Sequence, residues 1–358
     1  MTLPLATLGW TDALAAAFAP LTARGVVPAR VSLEHNHVYR VLTGSGEWLA
    51  EAAGRIKFQA SGRHELPAVG DWVAVRLDES GGRSLIRAIL PRRGWFSRKV
   101  AGRETEEQVV AANVDTVLIV FGLDKPVNQR AIERYLVVGR RSGANPVVVM
   151  NKSDLSNDIA ADVAEAMEVA GNVPVHAVSA HDDRGVESLE RYLSAGRTVA
   201  LIGPSGAGKS SIVNQLVGRE LLPTGEVRDW DARGRHTSIH RQLVVREAGG
   251  LIIDTPGMRE LQLWEAGDTV DETFADIAGL ADGCRFRDCV HDQEPGCAVK
   301  AAVEAATLDP GRYASYLKLQ REQAAIAARR DERALIDTKR RWKSASKAIK
   351  AMQKQRGR

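Results

Sequence analysis

The stretch Gly203-Pro204-Ser205-Gly206-Ala207-Gly208-Lys209-Ser210 fits G-x-x-x-x-G-K-[ST], and its reading decides the fold. It follows the apolar run Thr198 to Gly203 and opens a helical pattern at Gly208, with Ser211 as the next residue. Glycines at these spacings let backbone NH groups curl around phosphates. Lys209 would neutralise the outer phosphates, Ser210 would ligate Mg2+, and the helix dipole adds favourable potential. The bland alternative is a Gly-rich turn between strand and helix, which would require no companion motifs.

Companions are present. Asp254-Thr255-Pro256-Gly257 ends a second buried-type strand and has the form D-x-x-G, in which the Asp holds the Mg2+ shell through water and the Gly257 NH senses the terminal phosphate. Asn151-Lys152-Ser153-Asp154 ends the strand Pro146 to Met150 and has the form N-K-x-D. A carboxylate at Asp154 can accept from both the ring NH and the exocyclic amine of guanine, a donor pair that adenine lacks. Two charge-assisted hydrogen bonds at ~1.5 to 3 kcal/mol each give roughly 10^2 to 10^4 in discrimination. Ser179-Ala180 follows the next strand and offers a backbone NH to the guanine carbonyl. In ordinary GTPases the P-loop comes first and base recognition last; here base recognition precedes the P-loop, so the domain is circularly permuted. Such a cut preserves the site when the original termini are close and the new ends lie in an exposed loop.

From Val114 onward strands alternate with amphipathic helices. Strands are predicted at Thr116 to Phe121, Pro146 to Asn151, Val173 to Val178, Thr198 to Gly203 and Leu251 to Thr255, and helices at Asn128 to Arg141, Asp158 to Ala170 and Gly185 to Leu193. This rhythm predicts a parallel sheet covered on both faces. Upstream, between Val26 and Leu90, short alternating apolar runs (Val31 to Val41, Trp48 to Ala52, Trp72 to Leu77, Ser84 to Leu90) are punctuated by glycines, which fits a small OB-like barrel of about five strands, a fold often used on single-stranded nucleic acid. The basic segment Pro91 to Lys99 connects the two.

At 358 residues the chain is long enough for two to three domains, and 44% hydrophobic with 26% charged residues excludes a wholly disordered or collagen-like chain. No run approaches the ~18 apolar residues of a membrane span. The Ala-rich start from Asp12 to Pro20 lacks the preceding basic residues of a secretory signal and is expected to be a short surface helix. The three cysteines are too few for a disulfide framework, and all lie between 284 and 297. Cys284-x4-Cys289-x-His291-x5-Cys297 supplies three thiolates and an imidazole, a complete tetrahedral Zn2+ shell with no open position, so the site is expected to be structural. The alternative is a chance cluster of reduced, packed cysteines.

With these motifs in this order, the chain resembles the circularly permuted, small-ribosomal-subunit-dependent GTPases of the RsgA/YjeQ family over residues 26 to 300. The resemblance implies a cytoplasmic enzyme that hydrolyses GTP slowly alone and faster on the small subunit, and that acts late in that subunit's maturation. Ras-like enzymes place a water-orienting Gln directly after the D-x-x-G glycine; here that position is Met258, which cannot align water. Between P-loop and D-x-x-G, where the first switch belongs, Thr237 is the candidate ligand for Mg2+ and the terminal phosphate, and His236 resembles the family's catalytic histidine. Its competing reading is an ordinary solvated loop histidine.

The net charge is only +4, yet Lys318 to Arg358 carries fourteen Lys or Arg against four Asp or Glu, a net of +10. This tail reads equally well as an RNA anchor or as a solvated helix; beside a barrel and a metal module, RNA contact is favoured. The expected organisation is an N-terminal extension (1–25), OB-like barrel (26–90), connector (91–112), permuted α/β P-loop GTPase domain (113–265), zinc-binding helical module (266–317) and basic tail (318–358). The protein is expected to work as a monomer with GTP or GDP, Mg2+, one structural Zn2+, and the small subunit with its rRNA as partner, away from membranes. Two alternatives stay open: an RNA-binding scaffold whose nucleotide is structural, and a GTPase acting on another ribonucleoprotein or tRNA.

Overall fold

The computed structural model describes residues 3–99, 107–219, 242–254 and 269–328, which fall in two compact units divided at 262/263. In the first unit, β1 (Val27–His35), β2 (Val38–Thr43), β3 (Gly46–Ala52), β4 (Trp72–Arg76) and β5 (Ser84–Ile89) pair in the order β1-β2-β3-β5-β4, and β4 returns to β1. The barrel is closed. Its β3–β5 pairing is parallel, with the short helix α2 (Gly54–Gln59) and β4 lying between them in the chain. Inside, Ala29, Val31, Tyr39, Val41, Ala50, Val73, Val75 and Ile86 are buried, alternate residues of each strand as a half-buried sheet requires. The run Val31 to Val41, a single apolar stretch in sequence, is a hairpin folded at Asn36 and His37, both left-handed (φ 50° and 64°). Two positive-φ central residues give a turn whose twist matches that of the flanking strands.

Residues 3–25 are packed against this barrel. The helix α1 (Asp12–Phe18) is N-capped by Thr11, and Leu8 is fully buried. Trp10 stands edge-on to both Trp72 (4.7 Å) and Phe18 (5.9 Å). Buried Arg30 holds this corner together, donating to the carbonyls of Leu8, Gly70 and Asn113 while its guanidinium lies over Trp72. Burial lowers its pKa to about 10, with Asp115 opposing, so it remains charged at neutral pH.

The basic connector contains a strand pair absent from the sequence reading: β6 (Trp95–Lys99) and β7 (Glu107–Ala112) form a separate antiparallel ribbon. The nucleotide-binding sheet follows, from β8 (Thr116–Gly122), β9 (Asn145–Asn151), β10 (Val175–Ala177), β11 (Thr198–Ile202), β12 (Gln242–Val245) and β13 (Leu251–Asp254). Its order is β10-β9-β8-β11-β13-β12, parallel except for β12, and a single bridge from Leu33 to Gln242 joins β12 to the barrel. The strands β8, β9 and β11 are buried runs, as expected of a sheet covered on two faces. The helices α3 (Gln129–Arg141) and α4 (Ile159–Ala170) are capped by Asn128 and Asp158, whose side chains accept from the NH groups of Ala131 and Ala161. Where sequence predicts a helix at Gly185 to Leu193, the chain forms a 3-10 helix, Val186–Tyr192. Val186, Leu189 and Tyr192 recur every third residue, the period of that tighter helix.

The second unit is helical: α6 (Thr269–Thr273), α7 (Ala275–Ala281), α8 (Ala298–Glu304) and α9 (310–328). Its core contains Val270, Phe274, Ile277, Val299, Leu308, Tyr316 and Leu319. Among the described residues no helix is long and apolar enough to cross a membrane.

Candidate nucleotide site and metal centre

Gly122, Asn151, Gly203 and Asp254 all lie at the carboxyl ends of the parallel strands β8, β9, β11 and β13, the edge where open α/β sheets bind ligands. From β11 the P-loop runs into α5 (Lys209–Val217), placing Lys209, Ser210 and Ser211 in its first turn. Gly203, Gly206 and Gly208 have φ of 139°, 78° and 87°, conformations that side chains rarely adopt. A Cβ on Gly203 would collide with the Val120 carbonyl, and one on Gly208 with the Asn151 amide nitrogen. The loop's amides are thereby brought close to the sheet edge. Pro204 and Ser205 lie on the exposed side, while Ala207 is buried in the core. Lys209 Nζ donates to the carbonyls of Gly203 (2.9 Å) and Pro204 (2.6 Å), so its side chain arches over the loop.

Asn151 is buried and joins three segments: its amide donates to the Ala207 carbonyl (2.9 Å), and its Oδ1 accepts from the Ala180 NH (3.1 Å). The loop 203–208 and the segments carrying 151–154 and 179–180 are thus tied through one side chain, a role that the motif spacing does not reveal. The Ala180 NH, read from sequence as a guanine contact, is engaged by Asn151 in this structure. Lys152 is left-handed (φ 61°) and starts the short turn Ser153–Leu155 that carries Asp154. The Ser179 hydroxyl donates to Asp154 Oδ1 at 2.6 Å, fixing the carboxylate plane so that the other oxygen has a set direction. Asp254 ends β13 beside β11. Gly257, Met258, His236 and Thr237 lie outside the described residues, as does the tail from 329.

Cys284, Cys289, His291 and Cys297 converge, with all four ligand atoms within 4.8 Å of one another. His291 Nδ1 is 3.6 Å from Cys284 Sγ and 3.5 Å from Cys297 Sγ, and the two sulfurs are 4.0 Å apart. Tetrahedral zinc with Zn–S of about 2.3 Å and Zn–N of about 2.05 Å places S and N about 3.5 Å apart and two sulfurs about 3.8 Å apart, so the donor set fits the ion. Burial works against the Cys284 thiolate, but hydrogen bonds from the NH groups of Ala298 and Val299 at the start of α8, together with those from Cys289 and Cys297, lower its pKa. Cys297 itself caps α8, and the His291 carbonyl accepts from the Tyr313 hydroxyl.

The RsgA GTPase family model matches residues 89–264. A relative from Opitutus terrae, a small ribosomal subunit biogenesis GTPase RsgA, is 48% identical over 99% of both chains. The chain belongs to the RsgA GTPase family. It is accordingly a GTP hydrolase. The RsgA protein of Streptomyces coelicolor is 40% identical over 99% of this chain and 96% of its own. A model described as 50S ribosome-binding GTPase matches 198–354, starting at the P-loop strand and leaving the upstream residues 151–154 outside, as permutation requires. Among solved structures, YjeQ from Thermotoga maritima is similar at TM-score 0.61 and 28% identity, covering 84% of this chain and 99% of that one. The circularly permuted GTPase YloQ shares the fold at TM-score 0.59 and 23% identity, over 85% of this chain and 96% of its own.

The tightness of the P-loop gives a direct expectation for Gly208→Ala. A left-handed backbone carrying a side chain costs about 1–2 kcal/mol, and here the methyl also meets the Asn151 clamp. GTP affinity, read by titration, should fall tenfold or more while the sheet stays folded; unchanged affinity would show that the loop tolerates the shift.

Proposed function

We propose that this GTPase docks on the small ribosomal subunit late in its maturation and uses GTP hydrolysis to time its release, in a compartment such as the cytoplasm where its thiols stay reduced. The observation that carries the nucleotide part is the Asn151 clamp, which holds the N-K-x-D corner and the P-loop as one site although the chain reaches them in permuted order. The subunit assignment is supported by the names of the full-length relatives.

On this reading P-loop amides bind the phosphates, and Lys209 exchanges its two carbonyl partners for phosphate oxygens. Asp154 reads the guanine edge, with Lys152, Ser179 and Ala180 around the base. Mg2+, arriving with GTP, would be held by Ser210 and Thr237 with Asp254 and neutralises charge on the phosphates. Cys284, Cys289, His291 and Cys297 hold one structural zinc. The basic tail and the barrel contribute contacts to rRNA, with the protein acting as a monomer.

With Met258 in place of a water-aligning Gln, hydrolysis by the free enzyme is expected to be slow and to depend on a partner. Phosphate release under multiple turnover tests this. Purified small subunits should raise the rate several-fold or more; an unchanged rate would mean that the subunit is not the activator. Co-sedimentation with a non-hydrolysable GTP analogue separates the small subunit from another ribonucleoprotein target. In the same assay His236→Ala should lower subunit-stimulated turnover by tenfold or more, within the range of a lost acid–base group, with GTP affinity within a few fold of wild type. Wild-type rates would make His236 an ordinary loop residue.

A further inference from the structure

At the carboxyl end of β8 the chain passes through Gly122-Leu123-Asp124, a segment that none of the nucleotide motifs includes. It is nonetheless fixed to the base-reading corner: Gly122 pairs with Asn151 in the sheet register, and the Leu123 NH donates to the Asn151 carbonyl at 2.8 Å. Asp124 Oδ2 then lies 3.2 Å from Lys152 Nζ. For that pairing the lysine must cross Gly122. A Cβ at position 122 would collide with Asp124 Oδ1 and come within 3.3 Å of Lys152 Cδ, so the missing side chain is what admits the aliphatic stem. Lys152 has a left-handed backbone (φ 61°) and precedes the short turn Ser153–Leu155 that carries Asp154.

We propose that Asp124 is a positioning residue for the nucleotide base: it anchors the Lys152 ammonium so that the four-carbon stem lies flat along Gly122 as the apolar surface against which the purine ring packs, next to the Asp154 carboxylate that reads its edge. The inference rests on the base-reading assignment of residues 151–154. An unanchored lysine would need to give up rotamer freedom when the base arrives; the ion pair removes that freedom before the base binds. Because the pair is about one-third exposed (28% and 32%), its effect is that of a surface ion pair and not of a buried one.

Asp124→Ala, Lys152→Ala and the double variant of the full-length protein are titrated with GTP, GDP and inorganic tripolyphosphate, the last of which has no base and reports the P-loop alone. Asp124→Ala should weaken GTP and GDP by the same factor, about three- to fivefold. Tripolyphosphate should bind as in wild type, and Asp124→Ala should add nothing once Lys152 is Ala. Asp124→Glu should recover part of the loss. Unchanged GTP affinity in Asp124→Ala overturns the proposal, as does a parallel loss for tripolyphosphate, which would indicate general damage to the site, or full additivity in the double variant. Equal binding of ATP and GTP by wild type would instead refute the base-reading assignment, whatever Asp124 does.

Discussion

Asp154→Asn should convert a guanine-selective site into one that prefers xanthine, with GTP affinity falling by about 10^2 to 10^4. The size follows from two charge-assisted hydrogen bonds, each ~1.5 to 3 kcal/mol, that an amide cannot accept from both guanine donors. Xanthine carries a ring carbonyl where guanine has its exocyclic amine, so an amide NH2 has a matching acceptor there. The geometry makes this swap conservative for the protein: Ser179 already donates to Oδ1 at 2.6 Å, and an asparagine can keep its carbonyl oxygen on Ser179 while turning its NH2 towards the ligand. Asp154 lies in the short turn Ser153–Leu155, outside the buried core, so thermal stability should change little. Titration of both proteins with GTP, xanthosine triphosphate and ATP checks the expectation. Wild type should favour GTP over ATP at least a hundredfold; equal affinities would end the guanine reading.

The base-reading corner also shows where sequence is informative and where it is silent. Motifs such as 203–210 and 151–154 are legible because their chemistry needs particular residues at fixed spacing, and the parallel strands because burial on both faces leaves uninterrupted apolar runs such as Thr116 to Phe121. What stays hidden is carried by contacts between residues far apart in the chain. Arg30, in a β-strand pattern, gives no hint that it will bind carbonyls of Leu8, Gly70 and Asn113, or that residues 3–25 will thereby pack on the barrel. The Asn151 clamp depends on Ala207, 56 residues downstream. The β6–β7 ribbon was missed because one of its strands is the basic run read as a connector, and β-pairing is invisible until the partner is known. The 3-10 character of 186–192 was legible in principle, since its apolar positions recur every three residues.

Removing zinc should have the largest effect on stability, confined to the second unit. Its apolar core is small for sixty described residues, and much of the segment 284–297 has no regular structure. Instead the Cys/His cluster organises it: His291 holds a left-handed backbone (φ 62°), its carbonyl takes the Tyr313 hydroxyl, and its ring lies 6.2 Å from Tyr316, which packs edge-on against Phe274. Arg312 lies over the same Phe274 at 4.8 Å and pairs with Asp276 through two 2.7 Å bonds. Structural zinc supplies roughly 10–16 kcal/mol in small zinc-finger peptides, enough to account for order in a segment with so few buried contacts of its own. Purified protein should therefore carry about one equivalent of zinc. Chelation, or Cys289→Ser, should make residues 280–300 sensitive to protease and speed their amide exchange. GTP affinity should remain within a few fold, because the P-loop, Asn151 and Asp154 all belong to the first unit. Cys297→Ala should do more harm than Cys289→Ala, since Cys297 is buried and also caps α8. If metal-free protein keeps full protease resistance across this segment, the three cysteines are merely packed and the helices hold themselves.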